Sequence, residues 1–212
     1  IENSFQDPRL HFVIGDVRDR DQLNTACRGV DLIVHAAAIK QIKTAEYHPM
    51  ECVKTNIMGA QNVIESAIHN HVQKVIALST DKAAEPINLY GATKLVADKL
   101  FIAANRRDQS PKFSLVRYGN VLGSRGSVLP LFKEKMDNGA TSLPITDLEM
   151  SRFWITIDQA VKFVVNGFQR MLGGEILIPK IPTLKITALA KMISDTVGFD
   201  VIGPKPGEKF HE

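Results

Sequence analysis

Residues 79–94 read Ser79-Thr80-Asp81-Lys82-Ala83-Ala84-Glu85-Pro86-Ile87-Asn88-Leu89-Tyr90-Gly91-Ala92-Thr93-Lys94, and this stretch decides the fold. An apolar run over 75–78 ends in Thr80, Asp81 and Lys82, and Tyr90 follows with Lys94 at i+4. In doubly wound α/β sheets, function gathers at the carboxyl ends of the strands. Here one strand end carries a hydroxyl, a carboxylate and an ammonium directly ahead of a helix. If Tyr90 opens that helix, Lys94 lies one turn on along the same face. At pH 7 a free Tyr is only about 0.1% ionised, and lowering its pKa by about 3 units takes roughly 4 kcal/mol. One cation about 4 Å away at an effective dielectric of ~20 supplies about that much. Alone, Tyr-x-x-x-Lys also describes an ordinary solvated helix face. The polar strand end before it turns the reading toward proton transfer.

Outward from this stretch, strand-like and helix-like segments alternate. Residues 11–15, 31–35, 74–79 and 113–119 are short, apolar or β-branched, and bounded by polar residues or Gly. Between them, 21–28, 49–70, 90–107 and 129–138 read as helices; 175–178 reads as a further strand and 187–196 as a late helix. That alternation predicts an α/β fold, a Rossmann-like parallel sheet wrapped by helices. With 212 residues, 44% of them hydrophobic, the chain can bury one sizeable core and a smaller satellite. We expect residues 1–125 to form the main unit and 126–212 a smaller region, some of whose segments return to the core sheet.

The net charge of +3 is mild, and Lys and Arg are dispersed rather than interleaved with aromatics, so nucleic acid is a poor fit. Cys27 and Cys52 sit in apolar segments without metal spacing and read as reduced, buried thiols. His35, His69, His71 and His211 show no metal spacing either. No apolar run approaches the ~18 residues of a membrane span and no signal peptide is visible, so the expectation is a cytoplasmic protein without a membrane partner. Residues 1–10 are polar, and no Gly-x-Gly-x-x-Gly occurs. We expect a fragment lacking the first β-α-β unit, about 50 residues in a mononucleotide-binding half.

The chain resembles the extended short-chain dehydrogenase/reductases, and more narrowly the soluble UDP-N-acetylglucosamine 4,6-dehydratases that invert C5. The resemblance rests on Gly15-Asp16-Val17-Arg18-Asp19, His35-Ala36-Ala37-Ala38-Ile39-Lys40, residues 79–94, Arg117-Tyr118-Gly119-Asn120-Val121, Gly123-Ser124-Arg125-Gly126-Ser127, Arg152-Phe153-Trp154-Ile155-Thr156 and Pro206-Gly207-Glu208-Lys209-Phe210-His211-Glu212. Dehydratases acting on dTDP-glucose usually carry Glu where Lys82 stands. The long, membrane-anchored relatives that retain C5 configuration typically have Met where Tyr90 stands.

The resemblance implies a hydro-lyase that uses NADP, tightly bound and recycled, on a UDP-sugar. Hydride leaves C4, water is lost across C5–C6, and hydride returns to C6; reprotonation of C5 on the opposite face inverts that centre. Tyr90, assisted by Lys94, would take the C4 hydroxyl proton beside Thr80. Lys82 would be the base at C5 and Asp81 the acid at C6; a lysine serves as a base once desolvation lowers its pKa. The resemblance further implies a cofactor site of Asp16, Val17, Ala36, Ala37, Ala38, Lys40, Leu78, Ser79, Tyr90, Lys94, Val121, Leu122, Gly123, Ser124 and Arg125. It puts Lys40, Asn120, Val128, Lys205 and Glu208 on the substrate, and makes 1–125 a partial NADP-binding domain and 126–212 mainly a substrate-binding region.

Read as residues alone, Asp16 equally caps a helix, the three alanines equally allow tight packing, Gly119 and Gly123 simply make turns, and Val128 more readily fills a core than meets a ligand. Arg152, ahead of Phe153, reads equally as structural, since an Arg stacked on an aromatic is common. Lys205 stands where the family has Arg and cannot form its bidentate fork to a pyrophosphate. The resemblance also implies a homo-oligomer, a dimer or hexamer, and a place in pseudaminic acid or surface glycan synthesis. A UDP-hexose 4-epimerase shares Tyr/Lys and the fold but needs no acid/base pair at C5–C6. A catalytically silent dinucleotide-binding module is the third reading.

Overall fold

The computed structural model describes residues 7–106, 111–124, 126–204 and 206–212. Helix α1 (Arg20–Ala26), capped by Asp19, precedes strand β1 (Leu32–His35), and α2 (Ile42–Tyr47) and α3 (Pro49–Val53) follow. A π turn (Lys54–Met58) joins α3 to α4 (Gly59–His69), so the single helix expected over 49–70 is interrupted in its middle. Next come β2 (Lys74–Thr80), a 3₁₀ turn (Asp81–Ala83), α5 (Leu89–Ala104), β3 (Lys112–Tyr118), β4 (Asn120–Val121) and α6 (Val128–Asp137). The last part holds β5 (Ser142–Ile145), β6 (Ser151–Ile155), α7 (Ile157–Arg170), β7 (Ile176–Leu177), β8 (Thr183–Lys185), α8 (Ile186–Lys191) and β9 (Gly198–Val201).

The central sheet has the order β1-β2-β3-β7 and every pairing in it is parallel. The central strands β2 and β3 are buried on both faces, as in a covered parallel sheet, whereas the edge strand β1 leaves Leu32 and Val34 exposed. Val75, Ala77, Phe113 and Leu115 pack against Val63, Ala67, Ala97 and Phe101 of α4 and α5. On the other face Ile76 and Val116 meet Val164 of α7 and Met171. Gly167 of α7 lets the helix approach closely: a Cβ there would stand 2.9 Å from the Ile76 side chain. A second core gathers Phe132, Leu143, Ile145, Met150, Trp154, Leu189 and Val197 around α6, α8 and the short β5–β9 pair. A third small sheet, β4-β6-β8, joins the two regions, with Asn120 opposite Trp154 and Val121 opposite Ile155.

One expected strand does not form. Residues 11–15 have no ladder partner among the described residues, and Phe12, Val13 and Ile14 are 44%, 60% and 96% exposed. A strand is held by its neighbour's N–H and C=O groups, so an apolar run without a neighbour remains irregular. The late helix is also shorter than 187–196, ending at Lys191.

His35 closes β1 and is 5% exposed, packed against Phe101 with ring centroids 5.7 Å apart. Burial, helped by the Lys94 charge, pushes its pKa down from 6.5 to about 4. The folded chain therefore holds His35 neutral, and the unfolded chain binds its proton first as pH falls. The stability it contributes is complete above about pH 6.5 and is lost toward pH 4, about 3 kcal/mol in all. His35→Gln is expected to flatten urea-measured stability between these limits; an unchanged slope would assign the acid sensitivity to other groups.

Candidate functional site

The carboxyl ends of β1, β2 and β3 lie side by side on one edge of the sheet, because all pair in parallel. Residues 36–40, 81–83 and 119–124 leave from those ends. Ala36, Ala37 and Ala38 are exposed at the first of them, as is Lys40. Their loop is pinned from below: Asn56 Oδ1 accepts from the Ile39 N–H at 2.8 Å, and its Nδ2 donates to the Ile39 carbonyl at 2.9 Å. The same Nδ2 donates to Thr93 Oγ1 of α5 at 3.0 Å. The wide π turn carries Asn56, which is buried with 2% exposure; such turns are often found at functional sites.

At the end of β2, Thr80 Oγ1 accepts from the Lys82 N–H at 3.3 Å and starts the 3₁₀ turn, while its hydroxyl donates to Asp81 Oδ1 at 2.9 Å. Lys82 Nζ donates to Asp81 Oδ1 at 3.0 Å, Asn120 Oδ1 at 3.2 Å and Glu212 Oε2 at 2.8 Å. Asp81 Oδ2 is buried without a hydrogen-bond partner among the described residues. It faces Gly119, where a Cβ would stand 3.1 Å from it and 2.5 Å from the Phe153 Cβ. Only a residue without a side chain lets β3 cross into β4 over this carboxylate.

Asn88 caps α5 by accepting from the Gly91 N–H at 2.7 Å, which sets Tyr90 in the first turn. Burial pushes the Tyr90 phenol up to about 12, nearby Thr80 opposing the shift and Asp81, Tyr118 and Asp98 adding to it. Lys94 lies one turn on, as its spacing predicts, yet its Nζ donates to the Leu78 carbonyl at 2.7 Å. Burial lowers the Lys94 pKa. The expected lowering of the Tyr90 pKa by a facing ammonium is therefore not what the fold shows: removal from water outweighs it, and Lys94 is turned to the strand. Ser79, next to Leu78, donates to Asp98 Oδ2 at 2.7 Å, and Arg117 reaches the same oxygen at 2.7 Å. That buried ion pair clamps β2, β3 and α5 together.

Gly91 is the tightest contact in this region. A Cβ there would lie 2.2 Å from the Lys82 carbonyl oxygen and 3.0 Å from the Pro86 Cβ. Gly91→Ala gains helix propensity of about 1 kcal/mol, yet overpacking of this kind costs typically 1–3 kcal/mol. It is expected to lower the melting temperature and, by displacing Asp81 and Lys82, to reduce turnover by more than the stability loss explains. Unchanged melting and turnover would show that the turn yields freely.

The remaining expected site residues are spread along the rim. Asp16 is exposed and ion-paired with Arg18 at 2.6 Å, which holds its carboxyl down at about 2. Val17 is half-buried against Gly59, where a Cβ would meet its Cγ2 at 2.8 Å. Val121 and Leu122 continue from Asn120, and Gly123 turns with φ +73° before Ser124, whose N–H donates to the Val121 carbonyl at 3.2 Å. Val128 opens α6 and packs on the second core. Glu208 Oε2 accepts from Thr146 Oγ1 at 3.1 Å. Arg125 and Lys205 lie outside the described residues. Among the described residues no group of His, Cys, Asp or Glu could hold a metal ion, and no helix is long and apolar enough to cross a membrane.

Residues 206–212 form a strap over the β2 end. Asn88 Nδ2 donates to the Gly207 carbonyl at 2.7 Å, Lys209 Nζ to the Ala84 carbonyl at 2.6 Å, and Arg152 to the carbonyls of Lys209 at 2.8 Å and Phe210 at 3.1 Å. Arg152 is thus structural, though through the strap rather than an aromatic stack. Glu212, which no spacing in the sequence connects to Lys82, is the group that sequence reasoning missed.

A profile described as polysaccharide biosynthesis protein matches residues 1–212. The chain belongs to this family. Within the polysaccharide biosynthesis family it is 56% identical over 210 residues to a UDP-N-acetylglucosamine 4,6-dehydratase (inverting) of Campylobacter jejuni, covering 98% of this chain and 63% of that relative. It is 43% identical over 215 residues to a UDP-glucose 4-epimerase of Rickettsia akari, with 99% of this chain and 63% of that one covered. Among solved structures, DesIV of Streptomyces venezuelae, a dTDP-glucose 4,6-dehydratase with NAD bound, superimposes with a TM-score of 0.89 at 25% identity, covering 97% of this chain and 70% of that one. The chain thus spans 63% of the length of these two curated relatives.

Proposed function

We propose that this chain carries the catalytic centre of a UDP-N-acetylglucosamine 4,6-dehydratase that inverts C5. The observation that supports it most is the half-buried Asp81–Lys82 ion pair at 3.0 Å, set at a strand end between Tyr90 and Asn120. Elimination across C5–C6 needs one group that takes a proton and one that gives a proton. Passing a proton from Lys82 Nζ to Asp81 Oδ1 along their hydrogen bond creates both, a neutral amine and a protonated carboxyl, with no net proton uptake. Lys82 then removes the C5 proton while Asp81 protonates the departing C6 hydroxyl, which returns the two to ammonium and carboxylate. Tyr90 takes the C4 hydroxyl proton, C5 takes a proton from solvent on its opposite face as hydride returns to C6, and Asn120 holds the sugar.

The cofactor in this reading is NADP, which when bound accepts hydride from C4 and returns it to C6. Ala36, Ala37 and Ala38 fit such a group: they are exposed at a strand end and carry nothing beyond Cβ to keep a dinucleotide from the backbone. Lys94, Leu78 and Ser79 would lie on its ribose side, Val121 to Arg125 along the nicotinamide, and Asp16 with Val17 toward the adenine. Lys40, Val128, Lys205 and Glu208 would meet the UDP-sugar. Two separate cores support a division near residue 125, with α7 and β7 returning to the first sheet. By the same resemblance we assign a cytoplasmic homo-oligomer serving surface glycan synthesis; two free, buried cysteines agree with a reducing compartment.

The epimerase relative keeps a second reading in view, since epimerisation at C4 needs Tyr90 but not the Asp81–Lys82 pair. Incubating the protein with UDP-N-acetylglucosamine and NADP separates them. The expected product has lost one water and is inverted at C5 by proton NMR. A product of unchanged mass, altered at C4, would make the protein an epimerase.

A further inference from the structure

Lys82 Nζ has acceptors at Asp81, Asn120 and Glu212, the last the shortest at 2.8 Å. The Glu212 side chain is only 3% exposed, and its Oε2 also lies 3.5 Å from Arg152 Nε. Arg152, 8% exposed, is itself fixed by the carbonyls of Ser151, Lys209 and Phe210. A buried carboxylate 130 positions away in the chain is therefore delivered to one amine by a strap anchored at Asn88, Ala84 and Arg152. Burial raises the Glu212 pKa while Lys82 and Arg152 oppose it, as a desolvated anion between cations should behave.

We propose that Glu212, steadied by Arg152, is a positioning residue that aims the Lys82 amine and strengthens it as a base. The inference rests on the dehydratase reading above. When Lys82 passes one proton to Asp81, its two remaining N–H bonds stay on Asn120 and Glu212. The nitrogen cannot rotate freely, so its lone pair is left pointing to the Asp81 side. The Glu212 charge also stabilises the ammonium that forms when Lys82 takes the C5 proton. Oxidation at C4 uses neither effect.

The test monitors two steps in single turnover with UDP-N-acetylglucosamine and NADP: reduced cofactor by absorbance, and exchange of the C5 proton with heavy water. For Glu212→Gln, which keeps the side chain's shape, exchange is expected to fall about 10- to 100-fold, the worth of a charge-assisted hydrogen bond. The rate of cofactor reduction is expected to stay within about twofold, and Glu212→Asp to recover part of the exchange. Exchange within about twofold of wild type in Glu212→Gln, or equal loss of both steps, overturns the proposal.

Melting temperatures of Glu212→Gln, Lys82→Met and the double variant supply a readout that needs no activity. If Glu212 acts through Lys82, the double variant is expected to melt at least about 3 °C above the additive expectation, since Lys82→Met leaves the buried Glu212 carboxylate without its nearest cation and Glu212→Gln removes that penalty beforehand. Strict additivity overturns the pairing. If the full-length wild-type protein shows neither exchange nor water loss, the dehydratase reading has failed, and the melting series still decides whether Glu212 and Lys82 are coupled.

Discussion

Tyr90→Phe is expected to abolish oxidation at C4, with turnover falling by about 10³-fold or more and substrate binding little changed. General base catalysis by one side chain contributes typically 10²- to 10⁴-fold. Tyr90 lies against Thr80, whose aliphatic hydroxyl is a far weaker base than a phenolate and cannot replace it. With its phenol at about 12 in the free site, Tyr90 holds its proton at neutral pH. Tyr90 must therefore release that proton to solvent before it can accept the one from the C4 hydroxyl, and hydride transfer should rise with pH over the alkaline range. The check is single-turnover reduction of the cofactor, measured by absorbance, against the dissociation constant of the UDP-sugar. Reduction by Tyr90→Phe at the wild-type rate would remove Tyr90 from the reaction.

Lys82→Ala is expected to leave the first hydride transfer intact and to block the elimination across C5–C6. The 4-keto sugar and reduced cofactor should accumulate, and exchange of the C5 proton should fall by about 10²-fold or more. The reason is geometric: Lys82 is the amine that meets Asp81, Asn120 and Glu212 together. Removing it also leaves Asp81 and the buried Glu212 side chain without their shared cation, so a modest loss of stability is expected as well. Heavy-water exchange read by mass spectrometry decides the point. Normal exchange in this variant would move the base role to Asp81 or Tyr90.

Much of the fold was legible in the residues. The run at 74–79 forms β2 over Lys74–Thr80, and the helix expected from Tyr90 begins one residue earlier, at Leu89. Such segments are read correctly because a buried parallel strand must be apolar on both faces and a helix flanking it must carry a stripe. Helix α7 was missed although its signal was present: Thr156 and Gln159 form a capping box just before the apolar periodicity of 157–170. The short strands β4, β5, β6, β8 and β9 were not expected: unlike the apolar runs at 31–35 and 175–178, they mix polar residues, Pro or Gly into two to five positions, too few to show a period.

By itself the sequence determined the doubly wound sheet, the polar end of β2 and the one-turn spacing of Tyr90 and Lys94. Those are local consequences of pattern, expressed within a single strand or helix. The tertiary structure decided what those groups face. It turned Lys94 to the Leu78 carbonyl, left residues 11–15 without a strand to pair with, and brought Glu212 across 130 positions onto Lys82. Hydrogen-bond partners and burial depend on which distant segments arrive together, and spacing along the chain does not record that. Charge obeys the same rule: the phenol of Tyr90 and the carboxyl of Glu212 are both raised, chiefly by removal from water, which only the packed molecule can impose.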